Sequence, residues 1–557
     1  MSSPLGAALT ETLLRLLPPR GGERDHLEAI VGGLTEALEQ GQIGLALEGE
    51  APAGVSPDQW PDAVLASLQA SGWLAELDAD EAPIVRDGCW LRWRRWHQHL
   101  VSCLGRLLEL SNQPIADPPS DHHCTEAQQQ AERAGLDRRQ IEAVTALLQR
   151  RLVLLTGGPG TGKTSTVVQM LAAALQHNPG LRVALAAPTG KAATRLLQAV
   201  SEGSAHLPPS IATALKELPS GTLHRLLEAQ GDSQFRRNRH RPLGLDLLVV
   251  DEVSMVDLPL MTAVLDALPE QAQLLLVGDP DQLPPVGPGA VLQHLSEPER
   301  RRQMGAAAVE LRTTYRNNGA IAELSTSLRQ DGGGLSRTRL SQLQANDNVV
   351  WLESSDRHTP ETVLALLRDQ QHQLRQQATA LPWRGDEPDA VESEALLSQL
   401  DAVIALSPIR RGPWGVDAIH RALLGDTSRR ALQHWPAGTP VLNRHNKPDQ
   451  GLANGDIGVV VQHELHTRVL FPGGRILHPA QMAGAEPAFA LTVHKSQGSQ
   501  YSHVVLLLPP LRHPDQRLAY TGLTRARTEV LLITPKGQEP LARAEQHRHA
   551  ETPAVNR

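Results

Sequence analysis

One glycine-rich stretch, residues 152–170, constrains the fold of this chain more than any other feature. The apolar residues 152–155 predict a buried strand, and a helix is predicted to begin at Lys163, directly after the glycines. The stretch that starts at Gly157 and ends at Thr164 matches the pattern G-x-x-x-x-G-K-[ST]. Because the pattern lies between a strand and a helix, as its chemistry requires, it predicts a phosphate-binding loop.

Each part of this loop has a physical role in binding a nucleoside triphosphate. Glycines allow backbone N–H groups to curl around phosphate oxygens, and the following helix adds partial positive charge at its N-terminus. Lys163 is expected to reach the β- and γ-phosphates, and the Thr164 hydroxyl to ligate Mg²⁺. The predicted nucleotide-binding residues of the loop are Gly157, Gly158, Pro159, Gly160, Thr161, Gly162, Lys163, Thr164 and Ser165.

Two further strand ends supply candidate residues for the same site. The apolar strand predicted at 245–250 ends in Asp251-Glu252, where the aspartate would order Mg²⁺ and the glutamate would activate the attacking water. The strand predicted at 274–277 is followed by Gln282, a candidate sensor of the γ-phosphate. With the strands predicted at 152–155 and 183–187, the pattern predicts a doubly wound parallel α/β sheet with its site at the carboxyl ends of the strands.

Gln140 is a further candidate for nucleotide binding. It lies on a helix predicted at 137–149, shortly before the phosphate-loop strand, where several ATP-driven motors use a glutamine to hold the adenine edge. Position alone fits that role and an ordinary solvated helix residue equally well, so both interpretations stay open.

Composition restricts the class of protein without identifying it. A chain of 557 residues with 40% apolar and 20% charged residues is expected to form three or four soluble globular domains. No run approaches the roughly 18 apolar residues of a membrane span, and no basic segment precedes an apolar core at the N-terminus. The three cysteines (Cys89, Cys103 and Cys124) fit no disulfide framework. We therefore expect a cytoplasmic protein without membrane association.

A net charge of −8 argues against a protein that coats nucleic acid with its whole surface, although a groove needs only local positive charge. Changes of pattern along the chain suggest its domains. The predicted boundaries are 1–112 for an α-helical N-terminal domain suited to docking a partner, 113–136 for a linker, 137–300 and 301–557 for two α/β domains, about 228–243 for a small basic insertion and about 435–486 for a β-rich insertion.

The tryptophan-rich segment 90–96 admits two interpretations. Trp93 and Trp96 would lie on one face of a predicted helix that continues through several leucines. This face could dock a partner, or it could be a core stripe with an arginine-lined outer face. The core interpretation is favoured.

Together these segments resemble the superfamily 1 DNA helicases, and most closely the RecD family, known as the exodeoxyribonuclease V alpha chain. The resemblance spans about residues 137–534. The motifs that carry it are GGPGTGKT (157–164), APTGKAA (187–193), TLHRLL (222–227), VVDEVSMVD (249–257), VGDPDQLPPVGPG (277–289), TYR (314–316), SPIRRGPWGV (407–416), NGDIG (454–458), TVHKSQGS (492–499) and YTGLTRAR (520–527).

The resemblance implies two RecA-like motor domains that share ATP and Mg²⁺ between them. The first domain would supply the phosphate loop, Asp251, Glu252 and Gln282, and the second would supply Arg316 and Arg525 as arginine fingers for the γ-phosphate. The residues that resemble the family's single-strand DNA contacts are Thr189, Lys191, Thr222, His224, Thr492, His494, Lys495 and Ser496. The basic stretch 235–241 corresponds to the family's strand-separating pin, and the β-rich insertion to its SH3-like barrel.

One departure from the family pattern affects the nucleotide site. Gln500 stands where the family usually has a glutamate after KSQGS. This difference leaves open how the site discriminates between nucleotides, whereas ATP binding itself is still predicted.

The family resemblance implies an ATP-dependent DNA helicase that moves 5′→3′ on single strands. It further implies a heterotrimer with RecB-like and RecC-like subunits that acts at DNA duplex ends in end resection and recombinational repair. Length favours this subunit role, because the stand-alone RecD-like helicases are longer and carry helix-hairpin-helix modules that the sequence does not display. The alternatives are a stand-alone RecD-like repair helicase and a phosphate-loop NTPase that acts as a switch without unwinding DNA.

Overall fold

The N-terminal region combines helices with a small sheet. The computed structural model describes residues 4–75, 82–231, 234–315, 319–329, 334–343, 348–355, 357–445, 447, 450–464, 466–510 and 515–538. The elements of the N-terminal region are α1 (Pro4–Leu16), α2 (Arg24–Glu39), β1 (Gly44–Ala46), α3 (Asp62–Ser71), β2 (Leu74–Ala75), β3 (Ile84–Asp87), β4 (Trp90–Trp93) and α4 (Arg94–Asn112). Among these described residues, the strands form one mixed sheet in the order β1-β4-β3-β2. The expected α-helical domain at 1–112 has its helices, but the expectation missed the sheet, because strands of two to four residues carry too little periodicity to be recognised.

The tryptophan-rich segment does not form a single helix. Trp90–Trp93 is β4, which pairs antiparallel with β3, and α4 begins only at Arg94. Arg92, expected on an outer face, is fully buried and forms an ion pair with Asp87. The core interpretation holds for the leucines of α4, which pack against the first parallel sheet.

The first α/β domain is built on a parallel sheet. Its elements are α5 (Asp121–Arg133), α6 (Arg138–Gln149), β5 (Leu152–Gly157), α7 (Lys163–His177), β6 (Val183–Ala187), α8 (Gly190–Gly203), α9 (Pro209–Lys216), β7 (Ser220–Thr222), α10 (Leu223–Leu226), β8 (Leu247–Val250), α11 (Leu258–Ala267), β9 (Gln273–Gly278), α12 (Val291–Leu295), α13 (Pro298–Met304) and β10 (Ala308–Leu311). In the described part of the chain this sheet has six strands in the order β10-β5-β9-β8-β6-β7, all parallel. The four strands predicted for this region are confirmed.

Two predicted boundaries of this domain are wrong. Within the predicted linker 113–136, α5 forms a helix whose small residues, among them Ala127 and Ala131, are buried in the core beneath the sheet. Small apolar residues at helical spacing in a polar segment give a weak hydrophobic signal, which explains the error. The domain also continues past residue 300, because β10 pairs with β5. Strand pairing, not local composition, decides this end of the domain.

The second α/β domain carries a parallel sheet and an antiparallel one. Its elements are α14 (Ala320–Arg329), α15 (Arg337–Leu340), β11 (Val349–Ser354), α16 (Glu361–Ala380), β12 (Trp383–Arg384), β13 (Glu387–Pro388), α17 (Ala390–Gln399), β14 (Val403–Ser407), α18 (Val416–Leu424), β15 (Pro440–Leu442), β16 (Ile457–His463), β17 (His466–Phe471), β18 (Arg475–Leu477), β19 (Glu486–Pro487), β20 (Ala490–Thr492), β21 (Tyr501–Leu507), α19 (Gln516–Leu523) and β22 (Ala526–Pro535). Its parallel sheet follows the order β11-β22-β21-β14-β20. The apolar segments 402–406, 488–492, 504–508 and 530–534 predict β14, β20, β21 and β22, and the structure confirms them, whereas β11 escaped prediction.

The β-rich segment forms its own antiparallel sheet, in the order β18-β17-β16-β15-β19. Gly473 and Gly474 connect β17 to β18 with φ angles of 78° and 71°, a left-handed conformation that favours glycine. Phe471 is fully buried in the core of this sheet. In the described parts of the chain we find no helix that is both long and apolar enough to span a membrane.

Candidate nucleotide site and interdomain cleft

The phosphate loop has the backbone shape that its sequence predicts. It connects β5 to α7, and Gly160 and Gly162 adopt φ angles of 75° and 79°, where a side chain would be strained. Lys163 folds back over the loop, and its Nζ donates to the carbonyl oxygens of Gly157 and Gly158 at 2.7 and 2.9 Å. The lysine charge therefore lies at the Gly157–Gly158 end of the loop, within a cradle that suits phosphate groups.

Asp251 and Glu252 follow β8 at the same sheet edge as the phosphate loop, with β9 between β5 and β8. Glu252 has a φ of 54°, uncommon for a residue other than glycine, and its N–H donates to Asp251 Oδ1 at 2.8 Å. Such strain costs about 1 kcal/mol and persists where the surroundings hold it, as at functional sites.

The chemistry of these groups fits a magnesium ion. Removal from water and the charge of Glu252 raise the pKa of Asp251 to about 7, although Lys163 acts in the opposite direction. A divalent cation beside Asp251 would lower this pKa again and keep the carboxyl group ionised. Mg²⁺ prefers carboxylate, hydroxyl and phosphate oxygens, and Thr164 on the first turn of α7 offers the hydroxyl.

Gln282 is buried beside the end of β9. Its amide Nε2 donates to Asp279 Oδ2 at 3.2 Å, while its Oε1 has no hydrogen-bond partner among the described residues. Leaving a buried acceptor unsatisfied costs roughly 1–3 kcal/mol. Since an amide oxygen accepts only from a donor, this atom suits a water molecule better than a phosphate oxygen.

Gln140 is not a solvated helix residue. It is buried, its Oε1 accepts from the Asp137 backbone N–H at 2.9 Å, and its Nε2 lies 3.5 Å from the carbonyl oxygen of Thr161. The side chain therefore ties the start of α6 to the phosphate loop. Its predicted contact with adenine stays a prediction.

The TYR segment lies directly on the phosphate loop. The Tyr315 backbone N–H donates to the carbonyl oxygen of Gly160 at 2.8 Å, and its hydroxyl donates to Asp137 Oδ2 at 2.8 Å. Arg316, the predicted arginine finger that follows, lies outside the described residues.

Arg525, the other predicted arginine finger, is buried in the second α/β domain. Its Nε donates to the carbonyl oxygen of Thr521 at 3.1 Å, and its Nη1 donates to that of Ser499 at 3.3 Å. These hydrogen bonds join two segments of the same domain. A contact with phosphate would require Arg525 to exchange them.

The structure instead brings two unpredicted side chains of the second domain to the loop. A Cβ atom added to Gly158 would lie 3.2 Å from Arg329 Nη1 and 3.1 Å from the Tyr520 hydroxyl. Tyr520 belongs to the motif YTGLTRAR, which could have drawn attention to it. Arg329 ends α14 outside every motif, and nothing in the sequence distinguished it.

The predicted DNA-contacting residues of the first domain lie at or after the ends of two neighbouring strands, β6 and β7. β6 and β7 pair so that Ala187 faces Thr222. Thr189 caps α8 and Thr222 caps α10, each side chain accepting from a backbone N–H of its helix. The two hydroxyls and the residues after them, Lys191 and His224, thus lie at one edge of the sheet.

The corresponding residues of the second domain follow β20. Thr492 ends that strand, and the following turn carries His494, Lys495 and Ser496. Burial lowers the pKa of His494, against the attraction of Asp515. The fully buried Ser496 hydroxyl donates to the carbonyl oxygen of Val493, so this side chain supports the turn.

The two groups meet across the domain interface. A Cβ atom on Gly498 would lie 3.1 Å from Thr189 Oγ1. Arg195 of α8 donates to the carbonyl oxygens of Gly498 and Gln500 at 3.2 and 2.9 Å. The structure therefore brings into contact residues that are far apart in the chain; Arg195 and Gln500 are separated by 305 positions.

Both predicted DNA-contacting lysines are ion-paired. Lys191 Nζ lies 2.9 Å from Asp401 Oδ1, and Lys495 Nζ lies 3.0 Å from Glu486 Oε2. Burial raises the pKa of Glu486, but hydrogen bonds from Arg410 and Lys495 outweigh it, and the pKa ends below its ordinary value. Each lysine would have to exchange a carboxylate for a phosphate in order to bind a nucleic-acid strand.

Comparisons with known proteins agree with this arrangement. Residues 140–288 match the family model described as an AAA domain, and residues 487–533 match the UvrD-like helicase C-terminal domain. A crystal structure of Bacteroides Pif1 bound to ssDNA, 18% identical, covers 71% of this chain and 92% of that one with a TM-score of 0.39, a likeness too weak to support an argument.

The full-length relatives are more informative. The chain is 36% identical to the RecBCD enzyme subunit RecD of Mycolicibacterium smegmatis over 94% of its own length and 92% of that protein. It is 32% identical to the same subunit of Haemophilus influenzae over 70% of the chain and 68% of that protein. It is 30% identical to the ATP-dependent RecD2 DNA helicase of Deinococcus radiodurans over 90% of the chain and 64% of that protein. With identity above 30% over nearly its whole length, this chain belongs to the RecD family.

Proposed function

We propose that this chain is an ATP-dependent DNA helicase, the motor subunit of a RecBCD-type complex. One observation carries the proposal: the phosphate loop of the first domain is contacted by residues from beyond the first sheet. Tyr315 binds Gly160, and Arg329 and Tyr520 lie against Gly158. A nucleotide bound there couples the position of the second domain to the state of the triphosphate.

The residues of the first domain have separate roles in ATP hydrolysis. Lys163 binds the β- and γ-phosphates, and Thr164 and Asp251 hold Mg²⁺, which neutralises phosphate charge. Glu252 accepts a proton from the attacking water, and the unsatisfied Gln282 Oε1 accepts a hydrogen bond from the same water. Arg316 and Arg525 stabilise the charge on the transferring phosphoryl group once the domains close around the nucleotide.

The predicted DNA contacts complete the motor. Thr189 and Lys191 lie on one side of the interface and Lys495 on the other, so a strand held there is gripped by both domains. Hydroxyl and ammonium groups bind phosphate and sugar without reading bases, which suits movement along any sequence. Cycles of closing and opening then carry the motor along the strand, in the 5′→3′ direction that family membership suggests.

The assembly is also part of the proposal. Relatives named as RecBCD enzyme subunits match most of this chain, and they support partnership with RecB-like and RecC-like subunits in end resection and recombinational repair. We propose that the N-terminal region of helices and mixed sheet docks these partners. The basic stretch 235–241 is proposed to act as the strand-separating pin, and the antiparallel sheet at 440–487 to be the SH3-like barrel.

The experiment that tests this function is unwinding of duplexes with either a 5′ or a 3′ overhang, with and without the partner subunits. We expect ATP-dependent unwinding from the 5′ overhang only. Lys163→Ala should abolish unwinding and single-strand-stimulated ATP hydrolysis while the circular dichroism spectrum is unchanged.

The alternatives give different results. Efficient unwinding by the chain alone would favour a stand-alone repair helicase, as the similarity to the RecD2 helicase of Deinococcus radiodurans suggests. ATP hydrolysis that is indifferent to single-stranded DNA, with no unwinding, would favour an NTPase switch and contradict the proposal.

A further inference from the structure

Within the described residues, Arg329 is a cation of the second domain that lies beside the phosphate loop. It is the last residue of α14, and its Nη1 would lie 3.2 Å from a Cβ on Gly158. Because Gly158 has no side chain, the guanidinium occupies the space that a side chain would fill beside this part of the loop. Arg525, the predicted arginine finger within the described residues, bonds instead to Thr521 and Ser499.

Two carboxylates of the first domain hold the guanidinium. Arg329 Nε donates to Asp281 Oδ2 at 2.6 Å, and Arg329 Nη2 lies 4.0 Å from Glu310 Oε1. Asp281 follows β9 next to Gln282, and Glu310 lies on β10, so both carboxylates belong to the first domain. The arginine therefore bridges the two domains, and its orientation is fixed by the strand ends that also build the nucleotide site.

The position of Lys163 identifies which end of the cradle Arg329 approaches. The lysine of a phosphate loop reaches the β- and γ-phosphates. Here its Nζ binds the carbonyl oxygens of Gly157 and Gly158, and Arg329 lies beside Gly158. The two cations thus converge on one end of the loop, the end that receives the terminal phosphate.

We propose that Arg329 is a catalytic residue that contacts the γ-phosphate of ATP from the second domain, with Asp281 as the positioning residue that aims it. This inference rests on the proposed function. During hydrolysis water attacks the γ-phosphorus, the bond to the β–γ bridging oxygen breaks, and ADP and phosphate form. Arg329 exchanges no atoms or protons in this reaction; it stabilises negative charge on the phosphoryl oxygens.

A purely structural role predicts different behaviour. If Arg329 only fastened the domains through Asp281, loss of either partner would have the same consequence, and the number of phosphates on the nucleotide would not matter. A contact with the γ-phosphate instead favours a triphosphate over a diphosphate. Loss of Arg329 should then reduce triphosphate binding and turnover more than loss of Asp281.

The test compares nucleotide binding and turnover in the full chain. Affinities for ADP and for a non-hydrolysable ATP analogue are measured by titration calorimetry in wild type, Arg329→Ala, Arg329→Lys and Asp281→Asn. Arg337→Ala is the matched control, because Arg337 pairs with Glu353 at 2.9 Å within the second domain. Thermal unfolding of each variant verifies that it folds.

We expect Arg329→Ala to weaken binding of the triphosphate analogue about tenfold while ADP affinity changes less than about twofold, because a charged hydrogen bond to the γ-phosphate is lost. The kcat of single-strand-stimulated ATP hydrolysis should fall by about 100-fold, the loss typical of one donor to a developing charge. Arg329→Lys should recover part of it, and Asp281→Asn should cost less than Arg329→Ala.

Equal weakening of ADP and triphosphate binding, or no weakening of either, would overturn the assignment. So would equal kcat losses in Arg329→Ala and Asp281→Asn with unchanged triphosphate preference. These binding measurements do not depend on unwinding, so they remain decisive even if the wild type fails to separate DNA strands, a result that would count against the proposed function alone.

Discussion

At the scale of single residues, the nucleotide site contains two local features that each reduce the stability of the folded chain. Glu252 adopts a left-handed backbone conformation, and Gln282 keeps a buried amide oxygen without a partner among the described residues. Neither arrangement stabilises the chain. Both place a polar group at the sheet edge that also carries Lys163 and Asp251. Stability is therefore reduced at the place where catalysis requires defined positions of polar groups.

Glu252→Gln tests the predicted general base. We expect kcat for ATP hydrolysis to fall by about 10²–10⁴-fold, because the neutral amide cannot accept the proton of the attacking water. ATP affinity should change little, since the amide keeps the size of the side chain. Rapid-quench hydrolysis and equilibrium binding of ATP measure the two quantities, and unimpaired turnover would exclude Glu252 from this role.

His420 predicts a pH dependence of stability. Burial lowers the pKa of His420 to about 4, and its Nε2 accepts from the Ala490 N–H. The unfolded chain binds this proton near pH 6.5, so the folded state loses stability as the pH falls from about 6.5 towards 4. The contribution of this group between pH 7 and pH 5 is about 2 kcal/mol.

The measurement is urea unfolding at the two pH values. His420→Gln should remove this part of the pH dependence, whereas His122→Gln, at an exposed position on α5, should retain it. If both variants lose stability on acidification as the wild type does, His420 is not the responsible group.

At the scale of elements, one segment connects three parts of the molecule. After β9, residues 279–283 contact the second domain, where Asp279 accepts from the Tyr520 hydroxyl and the Leu283 N–H donates to Thr521 Oγ1. Residues 285–289 then contact the N-terminal region, where the Gly289 N–H donates to the carbonyl oxygen of Gly41. A change in the N-terminal region thus has a short path to the nucleotide site.

Gly41→Ala tests this connection. Gly41 has a φ of 82°, and an added Cβ would lie 3.0 Å from the carbonyl oxygen of Val286. We expect a loss of about 2 kcal/mol in the free energy of unfolding, from backbone strain and displacement of the segment. ATP turnover should also fall, because the displaced segment continues from Gln282.

Gly88→Ala is the matched control for this variant. Gly88 has a φ of 58° in the β3–β4 turn, with no atom within 4 Å of an added Cβ in the described structure. This variant should show the backbone strain alone, about 1 kcal/mol, with unchanged turnover. Identical effects of the two substitutions on unfolding and turnover would show that the contact with Val286 is unimportant.

At the scale of the whole molecule, the two α/β domains contact one another at both candidate sites. The contacts of Arg329 and Tyr520 lie at the phosphate loop, and those of Arg195 lie at the predicted DNA contacts. A domain movement that changes the contacts at the phosphate loop therefore also changes the contacts at the predicted DNA site. This geometry is what a motor requires.

The predicted DNA lysines have a measurable signature. For Lys191→Ala and Lys495→Ala, we expect the slope of the logarithm of single-strand affinity against the logarithm of salt concentration to become less negative by about 0.7 each, because one phosphate contact is lost. Lys216→Ala, at an exposed position on α9, is the control and should leave the slope unchanged. Unchanged slopes in all three variants would remove both lysines from the DNA site.

Local sequence by itself determined the phosphate loop, most strands of both parallel sheets and the antiparallel insertion. These features depend on patterns within about ten residues, namely apolar runs, glycine turns and a lysine after them, and such patterns dictate backbone shape wherever they occur. The short strands β1–β4, the small-residue helix α5 and the pairing of β10 with β5 carried too little local signal.

Only the tertiary structure decided which distant residues meet. The sequence did not distinguish Arg329, it placed Arg92 on a surface, and it left Gln140 open between solvent and site. Burial and contact across a domain interface depend on the packing of segments hundreds of residues apart, which no local pattern encodes. Charged side chains show this most clearly, because a surface arginine, a buried ion pair and a cation on a phosphate loop look alike until the fold supplies their partners.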